Sequence, residues 1–240
     1  IPRTWIEQAK AALLIGYGHT SHGSQLVTGL DALRGDPGST YDFASTNWGL
    51  HPGVFLNDYW GNAGGAGDLG HNGDLAWRNA TITMLELETN DRNVVMWSWC
   101  GGVSDNTVAG IDTYLNAMNA LEAAYPNVVF VYMTGHVDHW DDVRNKAANQ
   151  MIRDFCIAND KVLYDFADIE SYDPDGTHYA FPHDSCDYYQ SLSGPQLGNW
   201  ATAWQDSHEE GVDWYHCSSA HSQPLNANRK AYAAWALWTQ

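Results

Sequence analysis

Leu13-Leu14-Ile15-Gly16-Tyr17-Gly18-His19-Thr20-Ser21-His22-Gly23-Ser24 decides how this chain is read. A short apolar run ends at glycines, a serine stands between two histidines, and Leu26, Leu30 and Leu33 then recur at helical spacing. The pattern predicts a buried strand over about 12–17, a tight turn, and a helix over about 24–34 ended by Gly35-Asp36-Pro37-Gly38. Ser21 is thereby placed at the carboxyl end of a strand, where open α/β sheets bind ligands. The helix start behind it offers unpaired N–H groups to an anion.

The same alternation continues outward. Thr4 to Lys10 reads as an entry helix with a capping-box pattern of Thr4 and Glu7. A short strand is expected near Tyr41–Ala44, and Thr81–Leu87 fits helix and strand equally. Strands are expected at 94–99, 128–133 and 162–166, and helices at 107–124, 143–159 and 225–238. Strands separated by helices imply a mostly parallel sheet covered on both faces, an α/β three-layer sandwich. No repeat or linker divides the 240 residues, so one domain over 1–240 is expected, with long loops at about 45–75 and 170–220.

Composition narrows the partners. A formal charge of -18 repels phosphates, which argues against nucleic acid and anionic membranes. No apolar run is long enough to span a bilayer. Four cysteines, the acidic surface and the sequon Asn79-Ala80-Thr81 fit a secreted, extracellular or periplasmic protein. Twelve tryptophans and thirteen tyrosines exceed what a core of this size consumes, and exposed aromatic faces suit carbohydrate. On topology Cys100 and Cys156 fall at opposite sheet edges, too far apart to bridge. Cys186 and Cys217 share the loop-rich C-terminal region and are the expected disulfide, with Cys100 bonded to either as the fallback.

Ser21 after the first strand and His221 ahead of the last helix could meet on one sheet edge as a nucleophile and its general base. At these residues the chain resembles the SGNH (GDSL-like) hydrolase superfamily. Gly18-His19-Thr20-Ser21-His22-Gly23 matches the Gly-His-x-Ser-x-Gly form of its serine block, and Ala220-His221 through Asn226-Ala227-Asn228 is similar to its histidine block. The resemblance implies a flavodoxin-like sandwich and a cofactor-free serine esterase or deacetylase, here expected to act on a small-molecule or carbohydrate ester. It also implies an oxyanion glycine, Gly70 or Gly73, and an Asn after the third strand.

Two departures stand out. Trp97-Ser98-Trp99-Cys100-Gly101 occupies the position of that Asn, which leaves Cys100 and Gly101 as the nearest binding groups. Ser218 occupies the position of the acid, three before His221; Asp213 is the nearby carboxylate and is spaced instead to pair with His216, the alternative base. His19, His22, Trp99 and His136 are expected to line the substrate.

Two rival readings remain at this level. His19/His22 and His136/His139, with Asp138, Asp168, Asp213 and Glu170, could serve a metal-dependent hydrolase, although no His-Glu-x-x-His helix is present. The missing Asn, the displaced acid and the many aromatics also suit a non-catalytic carbohydrate-binding or self-assembling protein on a hydrolase scaffold. A homo-oligomer is left open.

Overall fold

The structure, a computed structural model, describes residues 1–58 and 66–240. The stretch 59–65 of the expected 45–75 loop lies outside the described residues.

A six-stranded sheet forms the centre, in the order β2 (Ser45–Asn47), β3 (Leu56–Asp58), β1 (Ile15–Gly18), β4 (Val94–Trp97), β5 (Val129–Met133), β6 (Leu163–Tyr164). Every pair is parallel. β1, β4 and most of β5 are buried along their length, as continuous apolar strands of a doubly covered sheet must be. Helices α1 (Arg3–Ala12), α2 (Ser21–Arg34) and α8 (Pro224–Trp238) pack together, while α3 (Ala76–Leu85), α4 (Val108–Ala124) and α5 (Asp142–Ala158) form the other layer. The three-layer α/β sandwich read from the sequence is therefore present.

Several boundaries differ from the sequence reading. α1 begins at Arg3 with Pro2 as its unbonded cap, so Thr4 lies inside the helix. No strand forms at 41–44; Phe43 instead packs against Phe55 and Trp235, and the strands on that side of the sheet are β3 and, at the edge, β2. The ambiguous 81–87 region is helical as far as the end of α3 at Leu85, and within it Thr81 donates to the Trp77 carbonyl (2.8 Å) and accepts from the Trp97 indole (2.9 Å). The 170–220 region contains α6 (Phe166–Glu170) at its entrance, the hairpin β7 (Asp187–Tyr189) and β8 (Gln196–Asn199), and α7 (Trp200–Ser207). These carry a satellite core of Cys186, Trp200, Ala201 and Leu225.

α2 starts at Ser21, three residues earlier than the apolar spacing suggested, because its first turn is defined by backbone contacts. Gly23 permits this: a Cβ there would lie 2.1 Å from Ser98 Oγ. Further along, a Cβ on Gly29 would lie 2.0 Å from the carbonyl oxygen of Ala227, which lets α2 and α8 approach to backbone contact. Gly29→Ala is accordingly expected to destabilise the fold by about 1–3 kcal/mol despite its better helix propensity. A thermal melt would register this as a fall of roughly 2–12 °C at about 2–4 °C per kcal/mol.

β3 and β4 flank β1 on opposite sides, so the chain turns one way after β1 and returns to the other. The carboxyl ends of β1 and β4 thus bound the crevice at the topological switch point of the sheet.

Candidate active site

Ser21 is the first residue of α2, and Cys100 follows β4 across the crevice. Ser21 Oγ lies 3.0 Å from His221 Nε2 and 3.1 Å from Cys100 Sγ. His221 reaches it from the loop before α8, in a left-handed backbone conformation (φ 63°) unusual for a residue with a side chain. Such strain persists where surrounding contacts over-determine it. Here the fully buried Gln25 on α2 donates to the Ala220 carbonyl (2.5 Å) and Ser222 N–H closes a turn onto Ser219 (3.1 Å). The sequence-predicted Ser21–His221 contact is thus present, made by residues 200 positions apart.

The carboxylate expected beside it is not Asp213. Asp213 Oδ2 accepts from the Glu209 N–H (3.0 Å) in an exposed turn, and no hydrogen bond or ion pair links it to His216 or His221 among the described residues. Its backbone spacing to His216 suits a surface turn equally well, which is why the sequence pattern misled.

Asp184 is the carboxylate at the site, and sequence reasoning missed it. Its Oδ2 accepts from His22 Nε2 (2.9 Å), while His22 Nδ1 contacts Cys100 Sγ (3.1 Å). His183 Nδ1 also pairs with Asp184. Burial alone would raise the Asp184 carboxyl, but the hydrogen bonds from His183 and His22 overcome it and hold the group far below the usual carboxylate range. Burial would likewise lower His22, yet its bonds with Asp184 and Cys100 push it up to about 9. Cys100 shows the complementary shift: burial opposes ionisation, but the hydrogen bond from His22 brings the thiol down to about 6. The only sequence signal for Asp184 was its place in a loop dense in Asp, His and Ser.

His22 is stacked between two other imidazoles, His136 at 3.9 Å and His221 at 4.4 Å. Burial and the charge on His22 keep His136 below its ordinary value, so a neutral ring faces a cationic one. His136 is buried and belongs to the wall behind His22 rather than to an open substrate face. His19 is also buried: Nδ1 bonds the Thr20 carbonyl (2.9 Å) and Nε2 bonds Asp58 at the end of β3, tying the strand ends together. Trp99 is core, 3 % exposed, with its indole N–H donated to the Met133 carbonyl (2.9 Å). The expectation that Trp99 lines substrate is corrected: at the end of a fully buried strand its ring turns inward against Tyr114.

The expected oxyanion glycines fare differently. Gly70 N–H is already donated to Asp68 Oδ1 (2.8 Å), and Gly73 faces Thr113 on α4. Thr20 Oγ1 donates to Asp68 Oδ2 (2.6 Å), which brings the 67–70 turn against the start of α2. Gly101, beside Cys100, has φ 75° and open space around it. The unbonded start of α2 contributes further donors, since its cap Thr20 supplies no side-chain bond.

All four cysteines are free thiols, so the expected Cys186–Cys217 disulfide is not formed, nor is the fallback to Cys100. Cys186 is buried in the satellite core against Ser222 Oγ (3.2 Å), whereas Cys217 faces the Pro224 carbonyl and Asn228 on α8. Shared loop membership did not translate into adjacency.

Of the residues considered for a metal, His22 and His136 come together with Asp184, their ligand atoms lying within 4.8 Å of one another. Both His22 nitrogens already have partners, and the two rings are parallel to within 4°, so their lone pairs do not converge. His139 stacks on Tyr189 (3.7 Å), Asp138 caps the Trp140 N–H, and Glu170 pairs with Lys230. A cavity of about 340 Å³ opens beside Ser21, lined by His19, Thr20, Ser24, Asn47, Trp48 and Asp58.

Compared with family models, curated proteins and solved structures, the chain finds no match in any of the three. No helix among the described residues is long and apolar enough to cross a membrane.

Proposed function

We propose that the protein is a serine hydrolase of SGNH type that cleaves an ester, with an acylated carbohydrate as the substrate class, outside the cell. The Ser21 Oγ–His221 Nε2 contact of 3.0 Å carries this reading. Ser21 Oγ attacks the acyl carbonyl carbon as His221 Nε2 takes its proton; His221 returns that proton to the leaving alkoxide. Water, deprotonated by the same nitrogen, then releases the acid and restores Ser21. The oxyanion is held by N–H groups at the start of α2 and beside Gly101, each such donor worth about 2.7–4 kcal/mol. Among the described residues no carboxylate bonds His221, and the backbone of its strained turn holds the ring in place.

The cavity beside Ser21 supports a carbohydrate alcohol. Trp48 is 64 % exposed at its wall, and Asn47, Asp58, Thr20 and Ser24 supply polar groups around it. An indole face with neighbouring hydrogen-bonding groups is the arrangement that holds a sugar ring. Trp48→Ala is expected to raise KM for an acetylated saccharide by about 5–10-fold, the loss of about 1–1.4 kcal/mol of stacking. The same variant should leave 4-nitrophenyl acetate turnover within about twofold, since that ester needs no sugar contact. Equal losses on both esters would remove the carbohydrate part of the reading.

A further inference from the structure

The ester mechanism uses Ser21 and His221 and leaves Cys100, His22 and Asp184 unassigned. Their geometry is that of a nucleophile, a base and an orienting acid: Cys100 Sγ to His22 Nδ1 is 3.1 Å, and His22 Nε2 to Asp184 Oδ2 is 2.9 Å. The sulfur lies 3.1 Å from Ser21 Oγ at the start of the fourteen-residue helix α2, where the helix dipole favours an anion. Gly101 beside it leaves open space, and Cys100 itself is only half-buried. Among the described residues none of the other three thiols has an imidazole as a hydrogen-bond partner; Cys186 bonds Ser222 and Cys217 bonds the Pro224 carbonyl and Asn228.

We propose that Cys100 is a second nucleophile of this crevice, a thiolate paired with the His22 imidazolium in a Cys100–His22–Asp184 chain, and that it is a modification site for small electrophiles, hydroperoxides above all. In that reaction the Cys100 sulfur attacks the outer oxygen of a hydroperoxide and the O–O bond breaks. The departing hydroxide or alkoxide takes the proton of the His22 imidazolium and leaves as water or alcohol. Sulfur is oxidised to the sulfenic level and the peroxide is reduced, with no further reagent. His22 ends neutral, still bonded to Asp184.

The remaining cysteines are internal controls. Burial pushes Cys156 and Cys186 up to about 12 and raises Cys217 as well, whereas hydrogen bonding brings Cys100 down to about 6. Iodoacetamide labelling of the whole chain, read by peptide mass spectrometry from pH 5 to 9, tests the proposal without requiring any ester turnover. At pH 6 alkylation should be confined to Cys100, with a rate profile whose midpoint is near 6.

His22→Gln should slow Cys100 alkylation at pH 6 by about 20-fold. The thiolate fraction falls about 500-fold, while the intrinsic nucleophilicity of the more basic sulfur rises roughly 16–30-fold. Asp184→Asn should shift the midpoint upward in the same direction. Wild-type protein treated with stoichiometric hydrogen peroxide should gain one dimedone adduct, at Cys100. The proposal is overturned if wild-type Cys100 titrates together with Cys217 near the ordinary thiol value. It is equally overturned if His22→Gln and Asp184→Asn, both folded by near-UV circular dichroism, leave its profile unchanged.

Discussion

Lys230→Met is expected to destabilise the protein by about 3–5 kcal/mol, the largest loss of stability from any single side chain at the site's foundation. Lys230 on α8 is fully buried and its ammonium lies 2.5 Å from Glu170 Oε1, itself 1 % exposed. The ammonium also bonds Gln25 and lies 3.8 Å above the Phe166 ring. Burial lowers its pKa, opposed by the Glu170 charge. Glu170 in turn accepts from the Val137 N–H (2.8 Å) and Asn226 Nδ2 (3.3 Å), so one ion pair ties α2, α6, α8 and the loop after β5.

Removing only the cation strands a buried carboxylate, and that stranded charge dominates the cost. Urea denaturation of Lys230→Met should show the loss as a lowered midpoint at similar slope. Lys230→Met combined with Glu170→Leu should recover much of it, because an apolar pair of similar volume avoids the desolvation of both ions. If the double variant were as unstable as the single one, the ion pair would not be the source. Gln25, freed from Lys230, also holds the Ala220 carbonyl, so Lys230→Met is expected to loosen His221 as well.

Ser21→Ala carries the largest catalytic effect. Removing a nucleophile abolishes covalent catalysis and leaves only binding and oxyanion donors, so kcat should fall by at least about 10³-fold. Ser21 is half-buried at a helix start, and its hydroxyl contributes no cap to that helix. Stability should therefore move by less than about 0.5 kcal/mol. A drop in activity accompanied by a matching drop in stability would point to misfolding rather than to lost chemistry. His221→Ala should follow Ser21→Ala closely, since residues acting as one unit lose activity non-additively.

The sequence carried the sheet because continuous apolar runs such as Val94–Trp97 and the helical spacing of Ile111, Leu115, Met118 and Leu121 each have one period. Ser21 and His221 were legible for a related reason: each sits at a strand-to-helix or loop-to-helix boundary that sequence patterns mark. Asp184 was not, because a carboxylate in an irregular loop has no periodic signature and its partner His22 lies 162 positions away. Asp213 and the Cys186–Cys217 pair failed on the same ground, since adjacency within a loop segment says little about which side of α8 each side chain takes. Trp99 was misread because the strand end at Trp97 does not end burial; the ring continues the core.

Labelling with a fluorophosphonate, read by peptide mass spectrometry on wild type, Ser21→Ala and His221→Ala, reports whether His221 activates the Ser21 hydroxyl. A single phosphonyl adduct is expected on Ser21 in the wild type, none in Ser21→Ala, and a labelling rate reduced by at least about 10²-fold in His221→Ala. Folded wild-type protein that takes no label on Ser21, or labels it equally well without His221, would contradict that activation.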